Sequence, residues 1–129
     1  MYVRFTTSFI DQHGLACTGI FNAVGFVERY ACTDKADVAQ LKELEAWFTT
    51  NLKVPSCYAR YDDPHNPSPL AWFKASAREH IQRMRAIVTL LAKYDVVVDM
   101  IHRRDPGYIL YEDDFQVAAL PREPLARVR

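Results

Sequence analysis

The chain opens on an alternation. Val3, Phe5, Thr7 and Phe9 fall on one side, and Tyr2, Arg4, Thr6 and Ser8 on the other, which predicts a half-buried strand over residues 2–10. Asp11-Gln12-His13-Gly14 breaks it as a turn. From Ile20 the spacing becomes helical. Ile20, Val24, Val27 and Tyr30-Ala31 share a face, predicting a first helix near residues 19–31, which Gly19 and Gly25 weaken. Thr33 or Asp34 caps a second helix with the stripe Val38, Leu41, Leu44-Glu45, Phe48 and Leu52, widened by Trp47 and ended before Pro55. Residues 54–70 carry prolines at 55, 64, 67 and 69, together with Asp62-Asp63 and Asn66. Proline fixes φ and removes a donor, so this stretch predicts a surface loop.

Trp72-Phe73-Lys74 leads into the most regular helix. Ala77, Ile81, Met84, Val88 and Leu91 lie in one narrow arc, with His80, Ile87 and Tyr94 beside it and Arg78, Arg83 and Arg85 on the flanks. The β-branched run before Asp99 then predicts a strand. Val96, Val98, Met100 and His102 share one side of it, and Val97, Asp99, Ile101 and Arg103 the other. Asp105-Pro106-Gly107 is a turn, Gly107–Glu112 a return strand, Asp113-Asp114 a second turn, and Phe115–Leu120 a short last strand. The order β-α-α-α-β-β-β predicts an α+β fold: about four mainly antiparallel strands with helices packed on one face. The expected organisation is a single domain over residues 1–120 and a C-terminal tail at 121–129, with the first strand paired to the C-terminal meander.

Composition narrows the function. The chain has 129 residues, half of them hydrophobic and a quarter charged, the mix of a globular protein with one core. Sixteen basic and sixteen acidic residues cancel, which disfavours a nucleic-acid binder running on bulk charge. Residues 74–104 are locally basic, with seven basic against three acidic groups, a pattern that commonly marks the solvated side of a helix. No apolar run approaches the ~20 residues of a membrane helix, and the alternating start is unlike a secretory signal. Three cysteines without regular spacing argue for free thiols in a reducing compartment, so the expected location is cytoplasmic.

A resemblance enters here. Gly19 and Phe21, the pair Trp47-Phe48, Trp72-Phe73-Lys74 before the long helix, and the C-terminal run Pro106-Gly107-Tyr108, Tyr111-Glu112-Asp113, Gln116-Val117, Ala119 and Pro121 form a pattern spanning nearly the whole chain. It resembles a family of small bacterial proteins to which no activity is attached, with a PGYxxYEDxxQVxAxP ending as its most specific part. The resemblance therefore implies no substrate and no catalytic residue. The proline-rich central loop is longer here than in that pattern.

Candidate chemistry is sparse. His13, His65, His80 and His102 and the three cysteines show no pair at helical spacing, so no metal is expected. No glycine-framed nucleophile stands out, and Cys57 with His65 lacks an orienting third group, so no catalytic residue is assigned. Four scattered glycines exclude a phosphate cradle, and no cofactor is expected. Glu112, Asp113 and Asp114, with Asp99 nearby, are most simply turn chemistry. What remains is a mixed sheet face: Arg4, Asp99, Ile101, Arg103, Tyr111 and Gln116. Such a mixture suits an interface, and the leading expectation is a non-catalytic protein-interaction module that binds itself or another protein. The alternative is a small-molecule binder or small enzyme with a pocket between the proline loop and the long helix, using Trp72, Lys74, His80, Arg103 and Tyr108. Single-stranded nucleic-acid binding through the arginines, Tyr108 and Tyr111 is the weakest expectation.

Overall fold

The structure is a computed structural model and describes residues 1–61 and 68–122. In chain order its elements are β1 (Tyr2–Ile10), β2 (Ala16–Thr18), α1 (Ile20–Phe26), a π-helical turn (Val27–Ala31), α2 (Lys35–Asn51), a 3-10 segment (Ser56–Tyr61), β3 (Leu70–Lys74), α3 (Arg78–Ala92), β4 (Val98–Arg103), β5 (Tyr108–Glu112) and β6 (Gln116–Leu120). The class is α+β, as the pattern predicts, but the described residues form six strands where it predicts about four. Two escape the pattern. β2 is only three residues long. β3 is paired on both sides, by β1 and by β6, and buries the adjacent residues Trp72 and Phe73. A strand covered on both faces loses its alternation, so its apolar run reads equally well as the start of a helix.

The chain divides into two compact units. The first takes Met1–Arg4, Lys53–Arg78 and the chain from His102 onward. Its sheet is antiparallel in the order β1-β3-β6-β5, with Val3 opposite Phe73, Trp72 opposite Val117, and Ile109 opposite Ala119. The first strand pairs with the first strand of the C-terminal meander, β4, as expected, while β3 separates it from β6. Val117, Ala118 and Ala119 of β6 are fully buried, which makes β6 the centre of this sheet.

Gly107 is required at the turn before β5. Its φ is +114°, and a Cβ placed there would lie 2.0 Å from the Leu120 carbonyl oxygen. Asp105 completes the turn. One carboxylate oxygen accepts the Gly107 N–H at 2.9 Å, and the other pairs with Arg122 at 2.6 Å. The Arg122 guanidinium in turn lies 4.4 Å from the centre of the Tyr108 ring. Arg122, which the pattern assigns to the tail, is thereby tied to the sheet; residues 123–129 lie outside the described residues.

The second unit comprises Phe5–Leu52 and Glu79–Ile101. Here β1 pairs with β2, Ser8 opposite Thr18 and Ile10 opposite Ala16, and with β4. The Thr7 hydroxyl donates to the Val97 carbonyl at 2.6 Å. The expected alternation of β1 is observed: Val3, Phe5 and Thr7 are buried, and Tyr2, Arg4 and Thr6 half-buried. Val24, Val27, Leu41, Ile87 and Leu91 form the fully buried centre of the helices. Asp34 caps α2, its carboxylate accepting the Ala36 N–H at 2.8 Å, an arrangement worth ~1 kcal/mol. The first predicted helix divides in two because the Cys32 N–H bonds to the Val27 carbonyl at 2.8 Å, five residues back, which winds the last turn as a π-helix.

Candidate functional site

The six residues expected on the sheet face separate into two kinds. Along β4, Asp99 and Arg103 are exposed and Ile101 is half-buried. The other three are engaged inside the first unit. The Arg4 guanidinium donates to the Ala71 carbonyl at 3.1 Å, and burial draws its pKa below the usual value, against the opposing effect of Tyr58. The Tyr111 hydroxyl donates to Asp113 at 2.8 Å. Gln116 is 2% exposed, and its side-chain N–H donates to the Lys53 carbonyl at 2.6 Å. Its expected place on an open surface is thus corrected. A buried amide needs an acceptor, and the Lys53 carbonyl supplies one.

Asp113 organises this corner. One oxygen accepts the N–H groups of Phe115 and Gln116 at 2.9 and 3.0 Å. The second takes the Tyr111 hydroxyl and, at 3.3 Å, the Gln116 amide. Burial works to raise the carboxyl pKa, but the bonds from Phe115, Tyr111 and Gln116 together outweigh it and hold the group below its ordinary value. Asp113 is therefore turn chemistry, as the residues suggest, while Glu112 ends β5.

The residues expected to line the alternative pocket divide between the two units, Trp72, Lys74, Arg103 and Tyr108 in the first and His80 in the second. Trp72 is buried, and its indole N–H has no hydrogen-bond partner among the described residues. Lys74 pairs with Glu112 at 2.6 Å, which raises the lysine pKa. Tyr108 is exposed beneath Arg122. His80 belongs to the second unit. It is buried, sits 2.8 Å from the Asn51 carbonyl and packs edge-on against Trp47, a histidine of the core margin. Residues 62–67 of the proline loop, including His65, lie outside the described residues.

Three polar groupings in the second unit have little or no sequence signal. Asp37 accepts the Tyr94 hydroxyl at 2.5 Å and pairs with Lys93 at 2.8 Å, while the Cys32 thiol donates to Tyr94 at 3.1 Å. Lys93 first and Tyr94 second hold the Asp37 carboxyl low, and Asp37 in turn raises the pKa of both partners. This arrangement fastens the start of α2 to the end of α3. Glu28 and Glu45 form a second grouping. The Glu28 side chain is 9% exposed, and one of its oxygens has no hydrogen-bond partner among the described residues. Burial, followed by the hydrogen bond and charge of Glu28, pushes Glu45 up to about 7.

The third grouping is a cleft of about 220 Å³. Phe9, Asp11, Gln12 and Cys17 from the β1–β2 hairpin form one side, and Asn22, Phe26, Arg29 and Tyr30 from α1 and the π-helical turn form the other. Asp11 accepts the N–H groups of His13 and Leu15 on one oxygen, at 2.8 and 2.9 Å, and the Cys17 thiol on the other at 3.4 Å. The bond from Leu15 leads in holding its carboxyl below the ordinary value, while burial, followed by the hydrogen bond to Asp11, raises the Cys17 thiol. Only the turn and the unfavourable Gly25 mark this place in the sequence.

Among the described residues no group of three or more His, Cys, Asp or Glu converges as a metal site. No described helix is long and apolar enough to cross a membrane. Comparison with family models, with curated proteins and with solved structures finds no match.

Proposed function

We propose that the chain is a non-catalytic protein-interaction module of the cytoplasm that binds a second copy of itself along β5. The observation that supports this reading is the exposure of three consecutive apolar residues on the last strand of the order β1-β3-β6-β5: Tyr108 at 56%, Ile109 at 43% and Leu110 at 38%. Neighbouring side chains of a strand point to opposite faces, so three in succession leave both faces of its start open. An apolar edge strand is a site for pairing with another chain. Between Ile109 and Tyr111 the register shifts by one residue, a bulge that leaves Leu110 without a partner on β6. Bulges restrict indiscriminate pairing, so the contact rests on the apolar side chains more than on a long ladder. An antiparallel contact of β5 with itself closes about a two-fold axis, and a net charge of zero sets no long-range repulsion between copies. Three free thiols suit a reducing compartment.

Sedimentation equilibrium tests this. The expected mass is twice 14.9 kDa for the wild type, falling to the monomer for Ile109→Lys or Leu110→Lys. Both positions are exposed, so these variants should fold. A monomeric wild type at every concentration removes the proposal. A dimer that survives both substitutions but yields to Ile101→Asp with Arg103→Glu moves the contact to β4.

A further inference from the structure

The cleft between the β1–β2 hairpin and α1 plays no part in self-association through β5. It holds two opposite charges that the fold leaves with capacity to spare. Arg29 makes no hydrogen bond or close ion pair among the described residues, and acts on Glu45 only through charge at longer range. Its guanidinium lies over Gly25, within 3.6–3.8 Å of the point where a Cβ would stand. Asp11 keeps one oxygen whose only partner is a thiol, a weak donor. Asn22 turns its side-chain N–H to the Thr18 carbonyl at 2.9 Å, which leaves its own carbonyl oxygen as an acceptor.

Three rings supply an apolar surface beside these groups. Phe9 and Phe26 have centroids 5.3 Å apart, and Phe26 and Tyr30 5.8 Å apart, tilted by 40° and 36°. Two local departures from an ideal helix, Gly25 inside α1 and the π-helical turn that carries Arg29 and Tyr30, fall on this same wall. Glycine in a helix costs about 1 kcal/mol relative to alanine, and π turns recur where a helix carries function.

The geometry points to a small zwitterion with a flat apolar body, and we propose that the cleft binds a free aromatic α-amino acid. Arg29 takes the carboxylate, the open oxygen of Asp11 with the Asn22 carbonyl takes the ammonium, and the ring lies against Phe9, Phe26 and Tyr30. A ligand carrying only a positive charge meets Arg29 uncompensated, and one carrying only a negative charge meets Asp11, so a molecule with both signs is selected against either. The volume of about 220 Å³ lies below the ~300–1,000 Å³ of drug-sized pockets and suits a ligand of single-residue size.

The test is a titration of the full chain with L-phenylalanine and L-tryptophan, followed by amide chemical shifts. Phenylacetate and phenethylamine serve as controls that each carry one of the two charges. Saturable shifts are expected at Cys17, Asn22 and Arg29, with the amino acids binding about tenfold more tightly than either control. Arg29→Gln should weaken the amino acids and phenylacetate about tenfold while leaving phenethylamine bound at least as tightly as before, and since Arg29 makes no hydrogen bond among the described residues the variant should fold. Ile109→Lys should leave every affinity as it is, which separates this site from self-association. The absence of saturable shifts at millimolar ligand overturns the proposal, as does equal binding of amino acids and controls or a shift pattern confined to β5.

Discussion

Two aspartates do the same job at two turns and end with different amounts of freedom. Asp11 follows β1 by a single residue, and Asp113 lies between β5 and β6. Each uses one oxygen to accept two backbone N–H groups, those of residues 13 and 15 in one case and 115 and 116 in the other. The second oxygen separates them. At Asp113 it receives a tyrosine hydroxyl and a buried amide, so the carboxylate is saturated by the fold. At Asp11 it receives a thiol alone and borders a cleft. An Asp in a turn is thus no guide to function by itself. What counts is which donors the tertiary structure brings to the oxygen that the turn does not use.

Two turn glycines, one in each unit, offer the largest test of a filled turn against an open one. Gly107→Ala puts a methyl group into the Leu120 carbonyl at a positive φ, and it should lower unfolding free energy by more than ~3 kcal/mol in urea melts. Gly14→Ala, also at positive φ but with nothing within 4 Å of the added carbon, should lose only the backbone term, ~1 kcal/mol. Similar losses at the two sites would remove the distinction between a filled corner and an open one.

The aspartates come next. Asp113→Ala strands two backbone donors, a phenol and an amide, and should destabilise by about 2 kcal/mol. Asp11→Ala should give a clearly smaller shift in the same urea midpoint, because its turn is open to water. If Asp11→Ala proves the more damaging, its second oxygen has a structural duty and is not free for a ligand.

The smallest expected effect is in pH. Asp113 has a depressed carboxyl pKa, so its contribution is present above the unfolded value and fades as pH falls through the folded one. Glu45, raised to about 7 by burial and by Glu28, runs the other way. Its contribution is complete below the unfolded value near 4.5 and is lost as pH rises through about 7. After discounting for solvent screening this amounts to roughly 1 kcal/mol between pH 5 and 8. Glu28 faces Glu45 from the π-helical turn, and Lys42 and Arg29 act in the opposite direction. Thermal melts of Glu45→Gln should lose this decline toward neutral pH; an unchanged profile would assign it to another group.

Much of the secondary structure is legible because it is local. Asp34 announces the cap of α2, the arc of Met84 and Leu91 announces α3, and Asp105-Pro106-Gly107 announces a turn that needs a glycine. β3 is not legible, because burial on both faces erases the periodicity that would mark it. Gln116 misleads for a related reason. Polarity places it toward solvent, yet its amide donates to the carbonyl of Lys53, 63 residues earlier in the chain. The cleft is the least legible feature, since no single residue marks it and its walls come from a hairpin and a helix with separate local patterns.

By itself the sequence determined the fold class, most of the helices and strands, and the chemistry of the turns, because these depend on neighbours within a few residues. The tertiary structure decided the strand order, which polar groups became internal partners and which charges stayed open. Those outcomes rest on contacts between residues far apart in the chain, and a carboxylate, an amide or a guanidinium carries no local sign of the partner it will meet.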